Sequence, residues 1–159
     1  MIKVAAPLLI VLILLAVTSP AEEDYLKIIT QISPKILRQG EEGILKIKIT
    51  PREGMRISSH PEMIIKLKDN NNLTFPKVFF TASELSFPIK QDNDTIILDL
   101  EKQIEIPFKV QENSLLGKHR INGEIIFTAV TSDNWSLKTY QKFFSEFVSR
   151  PNYKRNKAN

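Results

Sequence analysis

The residues of this chain best suited to proton transfer or metal ligation near neutral pH are its two histidines, His60 and His119. They lie far apart in sequence, and no cysteine accompanies them, which excludes thiolate ligands, thiol nucleophiles and disulfides. A ligand set would need carboxylates, and none recurs at a metal-binding spacing. Both imidazoles therefore read as loop or surface groups. The arrangement that would reverse this reading is a concave pocket at one end of the fold gathering His60, Glu62 and His119, a site for a small ligand or an enzyme.

Other chemical templates are missing. There is no phosphate-binding glycine loop, no Gly-x-Ser-x-Gly elbow and no paired-histidine zinc helix, and five glycines leave little material for a nucleotide cradle. The carboxylate pairs Glu41-Glu42 and Asp92/Asp94 fall in turn-rich stretches, where solvated charge is the ordinary state. The expectation is a chain without catalytic residues, metal or cofactor. Three Asn-x-Ser/Thr sequons, at Asn72, Asn93 and Asn134, also fall in turn segments, which suits glycan access and equally suits asparagine's own turn preference.

One further stretch could act on a partner. GEIIFTAVTSDNWSLK, Gly123 to Lys138, runs from alternating apolar residues into a polar loop holding the only tryptophan. Trp135 has two readings: a large side chain closing the end of the fold, or an exposed anchor, since tryptophan is enriched in interface hot spots.

The elements that must position these residues follow a period of two. Leu45, Ile47 and Ile49 alternate with polar neighbours, as do Ile104, Ile106, Phe108 and Val110. Ile121, Gly123, Ile125, Phe127 and Ala129 form one face of a third strand. Further strands are expected at Leu26 to Ile32, Met63 to Lys68, Lys77 to Phe80, Thr95 to Leu100 and Lys138 to Val148, separated by Gly-, Asn- and Asp-rich turns. Pro107 must sit at an edge, a bulge or a strand end, because it cannot donate to a ladder. A short turn around Glu112 to Leu116 is the best helical candidate. Eight or so short strands at this spacing predict an all-β fold, a two-sheet antiparallel sandwich.

Residues 1–21 read as a signal peptide: Lys3 supplies a basic start, Val4 to Val17 is apolar, and Ser19 and Ala21 place small residues before the cleavage point. The apolar run is shorter than the roughly 20 residues that span a bilayer, and Pro7 interrupts it, so an uncleaved anchor, which would make the chain a membrane-anchored envelope assembly factor, is the lesser reading. The expected location is exported, periplasmic or extracellular. Residues 22–150 form the sandwich domain, and 151–159 a basic flexible tail. The net charge of +4 is spread among interspersed signs. Aromatics do not interleave with a basic stripe, which argues against nucleic acid. Membrane contact is expected only if the leader stays uncleaved.

Three segments carry a family resemblance: Gly54-Met55-Arg56-Ile57-Ser58-Ser59-His60-Pro61, then Gly117 to Ala129 (GKHRINGEIIFTA), then Phe143 to Val148 (FFSEFV). Together they resemble the N-terminal periplasmic domain of the DsbD thiol:disulfide interchange reductases, over nearly the whole chain beyond the leader. The resemblance implies an immunoglobulin-like sandwich that passes reducing equivalents through a cysteine pair. It places the first cysteine after an aromatic-x-small segment, here Phe127-Thr128-Ala129, so that Val130 occupies its position; the second falls at Ser136, after Trp135. Neither valine nor serine can exchange a disulfide. What remains is a non-catalytic binding module with an envelope protein as its expected partner, and Trp135, Phe127, His60 and His119 as its candidate binding residues.

Overall fold

A computed structural model describes residues 24–153; the leader, residues 1–21, and residues 154–159 of the tail lie outside the described residues. Twelve strands follow in order: β1 (Leu26–Ser33), β2 (Ile36–Arg38), β3 (Glu42–Pro51), β4 (Met55–Ile57), β5 (Ile64–Leu67), β6 (Leu73–Thr74), β7 (Phe79–Thr81), β8 (Ile89–Asp92), β9 (Thr95–Leu98), β10 (Ile104–Val110), β11 (Gly117–Thr131) and β12 (Ser136–Arg150). No α-helix occurs among the described residues; within the Glu112 to Leu116 segment Glu112 and Asn113 form a turn.

One sheet has the order β1-β3-β10-β6, and the other the order β2-β12-β11-β5-β7, with β4 also pairing to β11. Every pairing is antiparallel except that of β2 with β12. The chain therefore leaves the first sheet after β1 and joins the second beside its last strand. With β11 and β12 central to the second sheet and β3 and β10 paired in the first, this is the immunoglobulin-like sandwich. A separate β8–β9 hairpin is tied to the rest through a bridge between Ser58 and Ile97.

The alternation dictates which side chains meet between the sheets. Leu45, Ile47 and Ile49 of β3, Ile106 of β10 and Ile121, Ile125 and Phe127 of β11 are all at most 2% exposed. Burying each such side chain contributes about 1.5–3 kcal/mol, which is why the odd-numbered row of β11 cannot face water. Gly123 interrupts that row for a steric reason. A Cβ there would lie 2.3 Å from the Phe143 ring and 2.8 Å from the Lys66 carbonyl oxygen.

Pro107 lies opposite Ile44 of β3, and on its other side β10 pairs with β6 only at Lys109 and Val110. Its missing N–H thus falls beside a stretch with no second neighbour, as proline requires. The strands that alternation did not reveal, β2, β4, β6 and β8, have two to four residues, too few to display a period.

Candidate interaction site at the β11–β12 hairpin

β11 and β12 form a long hairpin, in register from Gly117 opposite Ser149 to Val130 opposite Ser136. The turn that closes it is held by Thr131. Its N–H donates to the Trp135 carbonyl at 2.9 Å, its carbonyl accepts the Asn134 N–H at 3.0 Å, and its hydroxyl accepts the Trp135 N–H at 3.2 Å. Asn134 takes the left-handed conformation, φ 62°, that asparagine tolerates in turns. The Thr131 hydroxyl also donates to Asp133, and this bond, first among the causes, holds the Asp133 carboxyl below the usual aspartate range.

Arg56 of β4 braces the same turn from the side. Its guanidinium donates to the Thr131 carbonyl at 2.8 Å, to Asn134 Oδ1 at 3.3 Å and to Asp92 Oδ2 at 2.8 Å. One side chain thereby ties the tip to both β4 and the β8–β9 hairpin. On this braced tip Trp135 is 55% exposed. It does not close the end of the sandwich, so of its two readings the exposed side chain is the one observed.

The other expected site residues scatter. Phe127 is 1% exposed and belongs to the core, which corrects its reading as a binding residue: its odd-numbered position on β11 points between the sheets. Val130 is buried and Ser136 exposed. His119, expected in a loop or on the surface, is buried on β11 instead. Its ring stacks on Phe147 with centroids 5.3 Å apart, and Nε2–H donates to the Leu115 carbonyl at 2.6 Å. Strand β11 starts at Gly117, earlier than alternation suggested, and that puts His119 in the same row as Ile121.

His60 is exposed, with Nδ1 3.1 Å from the Ser59 hydroxyl. The Glu62 carboxylate accepts from the Ser83 hydroxyl and from the Ser83 N–H at 2.6 Å, and these bonds, the hydroxyl's first, hold it below the usual glutamate range. The loop carrying His60 and Glu62 joins β11 where Ser58 N–H meets the Thr128 carbonyl. Nine residues separate that point from His119, about 30 Å of extended strand. The three groups do not converge, and the pocket that would have united them does not form.

A feature of the hairpin escaped the sequence reading. Lys138, Tyr140, Lys142 and Phe144 alternate along the outward face of β12, all exposed. The Lys142 ammonium lies 5.8 Å from the Tyr140 ring centre, and the Arg120 guanidinium 4.2 Å from that of Phe144. Basic and aromatic residues therefore do interleave here, contrary to expectation. The signal was the same period of two that identified the strand.

Beside this face, an open cleft of about 790 Å³ runs between β1 and β12, lined by Leu26, Ile28, Thr30, Gln141 and Lys142 among others. Gln141 spans it, accepting from the Leu26 N–H at 3.0 Å and donating to the Leu26 carbonyl at 2.7 Å. The Thr30 hydroxyl donates to the Phe144 carbonyl at 2.7 Å. Among the sequons, Asn93 and Asn134 sit in the left-handed conformation at exposed turns, whereas the Asn72 side chain accepts the Leu115 N–H at 2.9 Å.

No known protein family and no curated protein matches the chain. Among solved structures, a variant of BcpA, the major pilin subunit of Bacillus cereus, is similar over 80% of this chain at 11% identity and a TM-score of 0.46. The chain spans only 40% of that pilin's length. A cohesin module from a Clostridium perfringens family 33 glycoside hydrolase is similar over 80% of this chain and 98% of its own, at 9% identity and a TM-score of 0.41. A lipoprotein from Bacteroides thetaiotaomicron is similar over 89% of this chain and 92% of its own, at 12% identity and a TM-score of 0.38.

Proposed function

We propose that this chain is an exported, non-catalytic interaction module that captures an envelope protein through the tip of the β11–β12 hairpin. The observation that carries the reading is Trp135, more than half exposed on a turn braced by Thr131 and Arg56. A large aromatic side chain presented on a fixed backbone loses little freedom on binding, which is why such residues dominate interface energetics. Export rests on the leader read in residues 1–21. Kinship with the DsbD N-terminal domain is part of the proposal, in a degenerate form: Val130 and Ser136 stand directly opposite each other, the placement a cross-strand cysteine pair would occupy, yet neither can carry electrons.

The test is crosslinking capture from the native envelope fraction, with the wild-type chain and with Trp135→Ala. Loss of a specific captured protein is expected, with the unfolding free energy changed by less than about 0.5 kcal/mol, as for an exposed position. Phe127→Ala is the packing control, expected to lower stability by about 3–5 kcal/mol. An equal loss of stability in Trp135→Ala, or capture unaffected by it, would defeat the reading.

A further inference from the structure

We infer that the free edge of β12, from Ser136 to Lys142, is a strand-addition site for an acidic extended peptide; the inference rests on the reading of the chain as an interaction module and names its partner's chemistry.

The direction of the backbone groups comes first. The Phe144 carbonyl accepts from Thr30, the Val148 N–H donates to the Lys35 carbonyl at 3.0 Å, and the Arg150 carbonyl accepts the Gln39 N–H at 2.9 Å. All three point away from β11. Backbone groups of successive residues in a strand alternate between its two neighbours, so Ser136, Lys138, Tyr140 and Lys142 also direct their N–H and C=O groups outward. β2 pairs with this edge only from Val148 to Arg150. From Ser136 to Lys142 no strand of the described chain pairs with it, and β1 approaches at the far end, where the Gln141 side chain bonds to the Leu26 backbone. Seven residues make an edge of about 20–23 Å, the length of an ordinary strand.

The side chains select the occupant. An added strand would set alternate residues beside Lys138, Tyr140 and Lys142 on the outer face, and the intervening ones beside Leu137 and Thr139, Gln141 being held by Leu26. On this face Lys66 is paired with Glu124 at 3.7 Å and Arg120 with Glu146 at 2.7 Å. Lys138 and Lys142 make no ion pair within 4 Å among the described residues; Glu124, opposite Lys142 in the register, is engaged by Lys66. Carboxylates at alternate positions of a peptide would meet both ammonium groups, and apolar residues between them would meet Leu137. A second copy of the chain suits the edge badly. Two-fold antiparallel pairing about Tyr140 sets Lys138 against Lys142 of the other copy, and like charges directly opposite are destabilising. Edge lysines are a common device against self-association, and an acidic strand is the partner that satisfies them. A nucleic acid strand could use the lysines and aromatics but has no backbone groups at the spacing of a β ladder.

The probe is a fluorescein-labelled heptapeptide alternating glutamate and valine, followed by anisotropy and by amide hydrogen exchange on the full chain. Binding should slow exchange at Lys138, Tyr140 and Lys142 and leave Thr139 and Gln141, already bonded to β11, unchanged. The surface double variant Lys138→Glu/Lys142→Glu should bind about tenfold more weakly or worse, and a lysine–valine peptide should bind that variant instead. Equal binding of both peptides by the wild type, protection elsewhere, dimerisation through this edge, or tighter binding of an oligothymidylate to the same residues would each overturn the inference. If the peptide fails to protect the edge while envelope capture still depends on Trp135, the strand-addition site is lost and the module reading survives.

Discussion

Val130 and Ser136 face each other as the last registered pair of β11 and β12, yet one is buried and the other exposed. The difference comes from their neighbours. Val130 is flanked on its second side by Arg56 of β4, whereas Ser136 has no strand beyond it. The same asymmetry that covers the valine leaves the β12 edge open.

This register makes a covalent prediction. The outward direction of the Ser136 backbone groups makes the pair a non-hydrogen-bonded one, with Cα atoms about 4.5 Å apart, at the near end of the range a disulfide spans. The double variant Val130→Cys/Ser136→Cys should therefore form an intramolecular disulfide under mild oxidation, seen as a mass loss of two hydrogens. Val130→Cys/Leu137→Cys, whose side chains leave opposite faces, should stay reduced. The reverse pattern would show a register slipped by one residue.

Gly123 is there because Phe143 needs its space. Gly123→Ala should lower stability by about 1–3 kcal/mol in urea unfolding, since the new methyl group overlaps the Phe143 ring. Phe143→Leu in the same chain should recover only part of that, because the Lys66 carbonyl, 2.8 Å from the added carbon, belongs to the backbone. Full recovery would mean that the ring alone sets the constraint.

Thr128 carries a buried hydroxyl with no hydrogen-bond partner among the described residues. Valine has nearly the same shape without the unmet polar group. Thr128→Val should thus raise stability by about 1 kcal/mol, measured by chemical denaturation. A loss of similar size would reveal a partner for the hydroxyl in solution.

Glu146 gives a pH-dependent signature. The Arg120 hydrogen bond, first among the causes, holds its carboxyl below the usual glutamate range. A depressed folded-state pKa adds stability that is fully present above the unfolded glutamate value and lost as pH falls through the lower folded value. Carboxyl carbon chemical shifts should show Glu146 titrating below an ordinary glutamate, and Arg120→Gln should return it toward that range. An unchanged titration in the variant would assign the shift to another group.

Much of the fold could be read from local pattern. The rows Leu45-Ile47-Ile49 and Ile121-Ile125-Phe127 are apolar at every second position, and both face the core. His119 lies in the same row and was missed only because the strand extends back to Gly117. The site was less legible. The order Lys138, Tyr140, Lys142, Phe144 is plain in the chain, but nothing local says which face of β12 is left to solvent.

The amino-acid sequence by itself determined the strand-rich character, the inward row of each long strand and the impossibility of thiol chemistry. These depend on side-chain type and on an alternation that spans a few residues. Tertiary structure alone decided that Trp135 stands clear of the sandwich, that His60 and His119 lie far apart, and that β12 keeps an open edge beyond its short pairing with β2. Those outcomes depend on which distant segments become neighbours. Pairing is set by how two whole sheets close over one core, and no single stretch of chain encodes it.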